Sequence, residues 1–225
     1  KKIVLNYNSE GYDTTEFTAH SYEIPTQNSN YVYNAIDSKS EEEGAPVYNW
    51  IEIKEIGTNL NLTDDSIIKD VDIGFDFPFL GDSYSQCIIN ANGWVGFGTD
   101  NAAWDNSNIP SSSAPLSAIF ALWDDLNPVN DNCNSYCSGN VYTHGDSERF
   151  VVWFNEVAHW WTNFEDSYYD FQIVLYPSGD FDVNYNSLTG DHDATIGIQN
   201  ASGTDGIQVA SGSSFATDNK SLFFS

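Results

Sequence analysis

The chain has 225 residues and carries 33 acidic against 7 basic side chains, a formal net charge of −26 at pH 7. A surface of that sign repels phosphate backbones, which excludes nucleic-acid binding as a function. Hydrophobic residues make up 40% of the chain and aromatic residues 15%, enough to bury a core, so an acidic disordered chain is excluded as well. No run of about 18 apolar residues occurs, and the sequence therefore predicts no transmembrane segment.

The first part of the chain is β-prone. Lys1 to Tyr7 (KKIVLNY) is a short strand candidate, and a turn-rich segment follows it. Further strand candidates occupy 15–24 and 31–36, before an acidic connector over 37–46. Residues 47–56 (VYNWIEIKEI) alternate apolar and polar side chains, which predicts a strand buried on one side.

The segment from Val71 to Leu126 forms the centre of the predicted sheet. Its apolar, aromatic-rich runs are bounded by turn residues, as in half-buried antiparallel strands. Two turns are predicted, LGDS at 80–83 and NANG at 90–93. The Asn-Gly pair of the second turn suits the positive φ angles of a hairpin.

The second half of the chain reads as hairpins. Residues 139–157 and 168–188 each predict two strands around a turn, and the last 32 residues predict three short strands between Gly/Ser turns. Strands at this spacing without capped helices predict an all-β fold, an antiparallel β-sandwich of the jelly-roll or Ig-like type. We divide the chain into an N-terminal strand or extension, 1–32, and a β-sandwich domain, 33–225.

Several strings carry a family resemblance. They are VYNWIEI, GFDFPFLGDSYSQCIINANGWVGFG, IPSSSAP, IFALWDDLNP, YDFQIVLYPSGD and IGIQNASGTDGIQV. Together they resemble an extracellular β-sandwich accessory module of secreted multidomain bacterial and archaeal proteins, found beside subtilisin-like or gingipain-like peptidase domains. The WDDLN portion is also similar to nidogen-type extracellular domains. The resemblance implies a non-catalytic accessory or adhesive domain at the cell surface or outside the cell, and it brings no active site.

The acidic excess has two interpretations. One is solubility in a salty medium, where like charges are screened beyond roughly 10 Å. The other is cation binding, above all of Ca²⁺, which takes oxygen ligands. The loop that begins at Asp124, after the second apolar run, predicts a Ca²⁺ site, although the spacing of its acids differs from that of an EF-hand. The alternative is a strand-end turn whose side chains cap backbone amides. The candidate ligands are Asp124, Asp125, Asn127, Asn130, Asp131 and Asn132.

The cysteines favour an oxidising, extracellular setting. Cys133 and Cys137 lie in a polar loop without a neighbouring His, which favours a local disulfide over a zinc site. Cys87 lies in an apolar run and is expected to be a small buried hydrophobe. Three N-glycosylation acceptor patterns agree with this setting. They begin at Asn61, Asn200 and Asn219.

Two further strings bear candidate site residues. His159 is followed by Trp160 and Trp161. If the two tryptophans lie in a strand, their side chains point to opposite faces of the sheet, so one of them is available for sugar stacking or for an interface. The alternative is ordinary packing. The string Asp191-His192-Asp193 can bind a metal, but we expect it to be solvated.

The sequence predicts no enzymatic activity. None of its serines lies in a Gly-x-Ser-x-Gly elbow, and 33 acidic residues make any glycosidase-like pair of carboxylates uninformative.

The N-terminal strand suggests a structural function instead. Lys1, Lys2, Ile3, Val4 and Leu5 can pair as an edge strand within their own sandwich or be donated to a neighbouring subunit, which propagates into a filament. The basic start complements the acidic surface. We therefore expect a surface-assembly subunit that contacts copies of itself, other surface proteins or glycans. The alternative is a carbohydrate- or protein-binding accessory module of a secreted hydrolase.

Overall fold

The computed structural model describes residues 33–98, 101–129, 137–160, 166–212 and 215–225, together with the backbone of 20–23 and 32. All regular elements in these ranges are β-strands, so the predicted all-β class is confirmed. Among them there is no helix long and apolar enough to cross a membrane. The strands are β1 (His20–Glu23), β2 (Val32–Asp37), β3 (Thr58–Asn59), β4 (Ile67–Phe79), β5 (Asp82–Asn90), β6 (Trp94–Gly96), β7 (Ala118–Trp123), β8 (Leu126–Asn127), β9 (Asn140–Gly145), β10 (Phe150–His159), β11 (Tyr168–Leu175), β12 (Phe181–Thr189), β13 (Thr195–Gln199), β14 (Gly206–Ser211) and β15 (Lys220–Phe224).

The strands form two antiparallel sheets that pack together as a sandwich, as predicted. The larger sheet has the order β1-β2-β15-β12-β11-β10-β9-β3, and β8 pairs with the end of β10. The smaller sheet has the order β14-β13-β7-β6-β5-β4. Both sheets are therefore built from distant parts of the chain, and side chains far apart in sequence meet at their ends.

Aromatic side chains fill the space between the sheets. The buried rings of Phe154 and Phe171, on neighbouring strands of the larger sheet, stack with centroids 4.6 Å apart. Phe181 of the larger sheet lies 6.4 Å from Phe79 of the smaller one, so this contact joins the two layers. Burying each Phe stabilises the fold by roughly 1.5–3 kcal/mol.

The outer face of the larger sheet is covered by the segment at 47–57. Ile53 is buried there against Val151, Trp153 and Val174. The segment forms no strand, so the strand predicted at 47–56 is wrong. Its alternating pattern arises because an irregular segment packs one side on a sheet face, and no ladder of backbone hydrogen bonds is needed for that pattern.

The outer face of the smaller sheet is covered in the same way by the loop between β6 and β7. Ile109 and Ala114 of this loop join the buried side chains of Trp94, Phe120 and Trp123. The indole N–H groups of both tryptophans donate to one backbone oxygen in the loop, at 3.1 and 3.0 Å. Trp123 thus belongs to this outer core.

The predicted turns and hairpins are confirmed. Leu80 and Gly81 have positive φ angles of 47° and 101° between β4 and β5, and the NANG turn joins β5 to β6. Gly93 in that turn has φ 80°, and a Cβ there would lie 2.0 Å from a carbonyl oxygen of β7, so only glycine fits. The hairpins β9–β10 and β11–β12 and the three last strands also lie where the sequence placed them.

The N-terminal extension is described only in part. β1, which falls within the predicted extension 1–32, pairs with β2 and so joins the larger sheet. The five residues proposed for strand donation, Lys1 to Leu5, lie outside the described residues.

Candidate functional site

The polar groups that this sandwich brings together lie at one of its ends. There β7 runs into the short strand β8, which pairs with the last residues of β10 and places His159 opposite Leu126. The NANG turn lies beside the same segment, because Gly93 accepts backbone hydrogen bonds from β7. The loop before β13 closes the end.

Asp124 is the centre of a buried cluster. Its Oδ1 lies 3.2 Å from His159 Nε2, and both side chains are 4% exposed. Oδ1 also accepts the N–H of Asp125 at 3.0 Å, and Oδ2 accepts the N–H of Asp193 at 3.2 Å. Burial alone raises the pKa of Asp124, but His159 and these two backbone donors outweigh it and hold the pKa below its usual value.

Asp193 faces Asp124 with its side chain as well. Oxygen and nitrogen atoms of Asp124, His159 and Asp193 all lie within 4.8 Å of one another, an arrangement that can hold a metal ion. Burial raises the pKa of Asp193, and the neighbouring charge of Asp124 raises it further. Two carboxylates this close repel each other unless a proton or a cation lies between them.

His192 lies next to this cluster and is buried, 3% exposed, so the expectation that the Asp191-His192-Asp193 string is solvated is wrong at its central residue. Its ring packs edge-on against Tyr169, with centroids 5.8 Å apart, and His159 packs against the same Tyr169 ring at 6.4 Å. Burial lowers the pKa of His192, opposed by the charge of Asp124. Burial therefore favours the neutral form of this imidazole.

Asp125 belongs to a second, more exposed cluster. Its carboxylate lies within 4.8 Å of those of Asp64 and Asp65. Burial and then the charges of Asp65 and Asp64 raise the pKa of Asp125 to about 6. The set is all oxygen, the ligand type that hard cations prefer.

The buried side chain of Asn92 positions this second cluster. Its Nδ2 donates to Asp65 at 2.9 Å, and its Oδ1 accepts the N–H of Leu126 at 2.9 Å. The backbone N–H of Asn92 in turn donates to Asn90 at 2.7 Å. The NANG turn thus fixes both the loop with Asp65 and the start of β8.

The predicted Ca²⁺ loop is divided by the structure. Asp124 and Asp125 lie in separate clusters, and Asn127 is a buried residue of β8 whose carbonyl accepts the N–H of Ser138. Asn130, Asp131 and Asn132 lie outside the described residues. A single site spanning 124–132 stays a prediction.

The other predicted residues occupy varied settings. Trp160 is partly buried. Its backbone N–H donates to the backbone carbonyl of Asp125, and its side chain forms a hydrogen bond with Asp64. Trp161 lies outside the described residues, and so does Cys133, so the disulfide to Cys137 stays a prediction.

Cys87 is a free, buried thiol as expected, and burial raises its pKa to about 12. The acceptor residues Asn61 and Asn219 are exposed. Asn200 is 8% exposed, and its amide donates to Asp205 at 3.3 Å, which leaves little room for a glycan.

A groove of about 450 Å³ runs along the outer side of β11 and β12. Tyr168, 39% exposed, lies in it beside Glu156, Asp170 and Asn186. Asp170 is held by the indole N–H of Trp153 at 2.6 Å and by Asn186 at 2.7 Å. The groove combines an aromatic face with fixed polar groups.

Sequence reasoning did not predict Asp64, Asp65 or the pairing of Asp124 with His159. Asp64 and Asp65 carry only a weak signal, two adjacent acids in a turn. The contact between Asp124 and His159 follows from the register of β8 with β10, which has no local sequence signature.

The fold and its polar end define the class of this protein, an antiparallel β-sandwich module. A family model described as NIDO related, for nidogen-related, matches residues 43–222, most of the chain. The chain therefore belongs to the nidogen-related family, whose domains are typically extracellular and suggest an adhesive or structural module. Comparisons with curated proteins and with solved structures gave no match. The nidogen part of the resemblance is thereby confirmed, while the association with peptidase domains stays a prediction.

Proposed function

We propose that this chain is a non-catalytic subunit of an extracellular surface assembly, linked to its neighbours by strand donation from Lys1 to Leu5. The observation that carries the proposal is the open edge of the smaller sheet. In the described part of the chain, β4 ends that sheet, and it is 13 residues long. At ~3.3 Å per residue it offers an edge of roughly 40 Å for a further strand.

The charge of this edge matches the donor. Asp70, Asp72 and Asp76 are exposed on β4. The donor segment begins with Lys1 and Lys2. Exposed like charges protect a sheet edge against arbitrary pairing, whereas a strand of opposite charge satisfies them, so the acids favour a basic partner strand.

Burial of the polar cluster supports a role in binding and assembly over one in catalysis. The side chains of Asp124 and His159 are 4% exposed, so a macromolecular substrate has no access to them. A buried pair of this kind contributes to the architecture of the module.

Deletion of Lys1 to Leu5 tests the proposal. Size-exclusion chromatography and electron microscopy should find polymers of the full chain and only folded monomers of the truncated one. Ile3 and Leu5 share one face of an extended strand, so Leu5→Asp should abolish polymers, whereas Asn6→Ser on the other face should leave them intact. Polymers that survive the deletion, or a full chain that stays monomeric at high concentration, would refute strand donation.

A charge exchange tests the acceptor edge. Asp72→Lys should slow assembly, and Lys2→Glu should restore part of the rate in the double variant, because complementary charges mainly affect association rates. If Asp72→Lys assembles at the wild-type rate, β4 is not the acceptor.

The groove beside Tyr168 favours a second candidate function, a carbohydrate-binding accessory module. An exposed ring can stack on a sugar while carboxylate and amide groups bind its hydroxyls. Calorimetry against a panel of polysaccharides should detect binding that Tyr168→Ala removes. Trp104→Ala is the control, because Trp104 is 49% exposed and does not line the groove. The sequence-based candidates Trp160 and Trp161 can be replaced in the same assay.

A further inference from the structure

The buried cluster at the end of the sandwich has the composition of a metal site. Asp124 belongs to the end of β7, His159 to the end of β10 and Asp193 to the loop before β13. The three residues place one imidazole nitrogen and two carboxylate oxygens within 4.8 Å of one another. Mixed nitrogen and oxygen ligands suit Zn²⁺ and related transition metals, whereas Ca²⁺ takes oxygen alone.

A second, independent observation comes from His192. The residue is only 3% exposed, and neither of its ring nitrogens has a hydrogen-bond partner among the described residues. Burying an imidazole without partners is costly, because its ring nitrogens lose their hydrogen bonds to water and gain none in return. Such a group is uncommon in a folded protein unless it has a ligand.

His192 adjoins the same cluster, although its ring nitrogens are not among the atoms that lie within 4.8 Å of one another. The peptide N–H that follows it, that of Asp193, donates to Asp124 Oδ2 at 3.2 Å. The charges of Asp124 and of His159 act on the pKa of the His192 imidazole in opposite directions. Both imidazoles also pack edge-on against the ring of Tyr169.

We propose that Asp124, His159 and Asp193 bind a divalent transition metal of the zinc type, and that the adjacent His192 turns its ring to the bound ion as a fourth donor. A cation relieves the repulsion between the two facing carboxylates and gives the His192 ring a partner. Two His and two Asp ligands satisfy the four-coordinate preference of zinc.

The consequence of such a site is structural. His159 lies in the larger sheet, while Asp124 and Asp193 adjoin β7 and β13 of the smaller one. One ion therefore clamps the two layers together at the end where the chain crosses between them. Metal binding to the folded state alone raises the melting temperature by mass action.

The test uses the full chain after treatment with a chelator and then Zn²⁺. Calorimetry should find one tight site, and at free Zn²⁺ a hundredfold above Kd the Tm should rise by about 5–10 °C. Ca²⁺ at the same concentration should not displace the bound Zn²⁺, because the site includes imidazole nitrogen. A wild-type chain that neither binds Zn²⁺ nor gains stability from it would overturn the proposal.

Two matched variants identify the ligands. Asp193→Ala removes an exposed carboxylate, so we expect the fold to be retained. The affinity for Zn²⁺ should fall by more than the roughly 10–100-fold that is typical of losing a residue that only hydrogen-bonds a metal ligand. Asp191→Ala removes an exposed acid of the same loop and should bind Zn²⁺ like the wild type. Equal affinity of the two variants for Zn²⁺ contradicts the site.

Cobalt gives a readout that does not depend on stability. Proton NMR of the Co²⁺-loaded wild-type chain should resolve two strongly shifted exchangeable imidazole N–H signals, one from His159 and one from His192. His192→Gln should lose one of them. The absence of any shifted imidazole signal would overturn the assignment of both residues.

Discussion

Replacing Asn92 by Ala is expected to be among the more damaging single changes in the polar end of the sandwich. The side chain of Asn92 is fully buried, and it connects the loop that carries Asp65 to the start of β8. It donates to Asp65 and accepts the backbone N–H of Leu126, both at 2.9 Å. Alanine keeps the turn geometry but removes both hydrogen bonds.

The magnitude follows from what each partner loses. The N–H of Leu126 stays buried without an acceptor, which costs about 1–3 kcal/mol. Asp65 is exposed, so water replaces its donor and the second loss is smaller, about 1 kcal/mol. The expected decrease in the free energy of unfolding is therefore about 2–4 kcal/mol, or a Tm lower by roughly 5–15 °C for a domain of this size.

Urea unfolding followed by tryptophan fluorescence measures this decrease. Asn61→Ala is the control, because Asn61 also lies in a connecting segment but is exposed, and its loss should cost about 1 kcal/mol or less. If Asn92→Ala unfolds within 0.5 kcal/mol of the wild type, or no earlier than the control, the hydrogen bonds of Asn92 do not stabilise this end of the fold.

Two further predictions concern distant parts of the molecule. The ammonium of Lys220 lies 3.7 Å from the buried carboxylate of Asp37 and 3.6 Å from the centroid of the Phe215 ring. Lys220→Met leaves that carboxylate without its cation and should lower the free energy of unfolding in urea by about 3 kcal/mol. Adding Asp37→Asn should recover part of this loss. If Lys220→Met causes no loss of stability, the ion pair is dispensable. When the chain is secreted by a glycosylating host, mass spectrometry should find a glycan on exposed Asn61 and none on Asn200. The side-chain amide of Asn200 is hydrogen-bonded within its own turn. A glycan on Asn200 in the folded protein would contradict this expectation.

Local physics accounts for what the sequence alone determined. Side-chain alternation and turn chemistry act over a few residues, so the all-β class and most hairpins could be predicted. The turn at Asn90 to Gly93 is an example, because its glycine has a positive φ that other residues rarely adopt. Burial of Cys87 followed from its apolar neighbours in the same way.

The failed strand at 47–56 marks the limit of local patterns. Ile53 is buried on the outer face of a sheet whose strands lie about 100 residues further along the chain. An alternating pattern reports that one side of a segment is covered. It does not report whether the backbone pairs with a neighbouring strand, and here tertiary packing decided that it does not.

The polar end of the sandwich depends even more on tertiary structure. Asp124 and Asp125 looked like ligands of one loop, but the chain bends between β7 and β8, and each of the two side chains joins residues from elsewhere. Whether Asp124 meets His159 is decided by the register of β8 against β10, since a slip of one residue turns every side chain to the other face. Composition predicted acids that can bind cations; only the pairing of distant strands decided which acids share a site with a histidine.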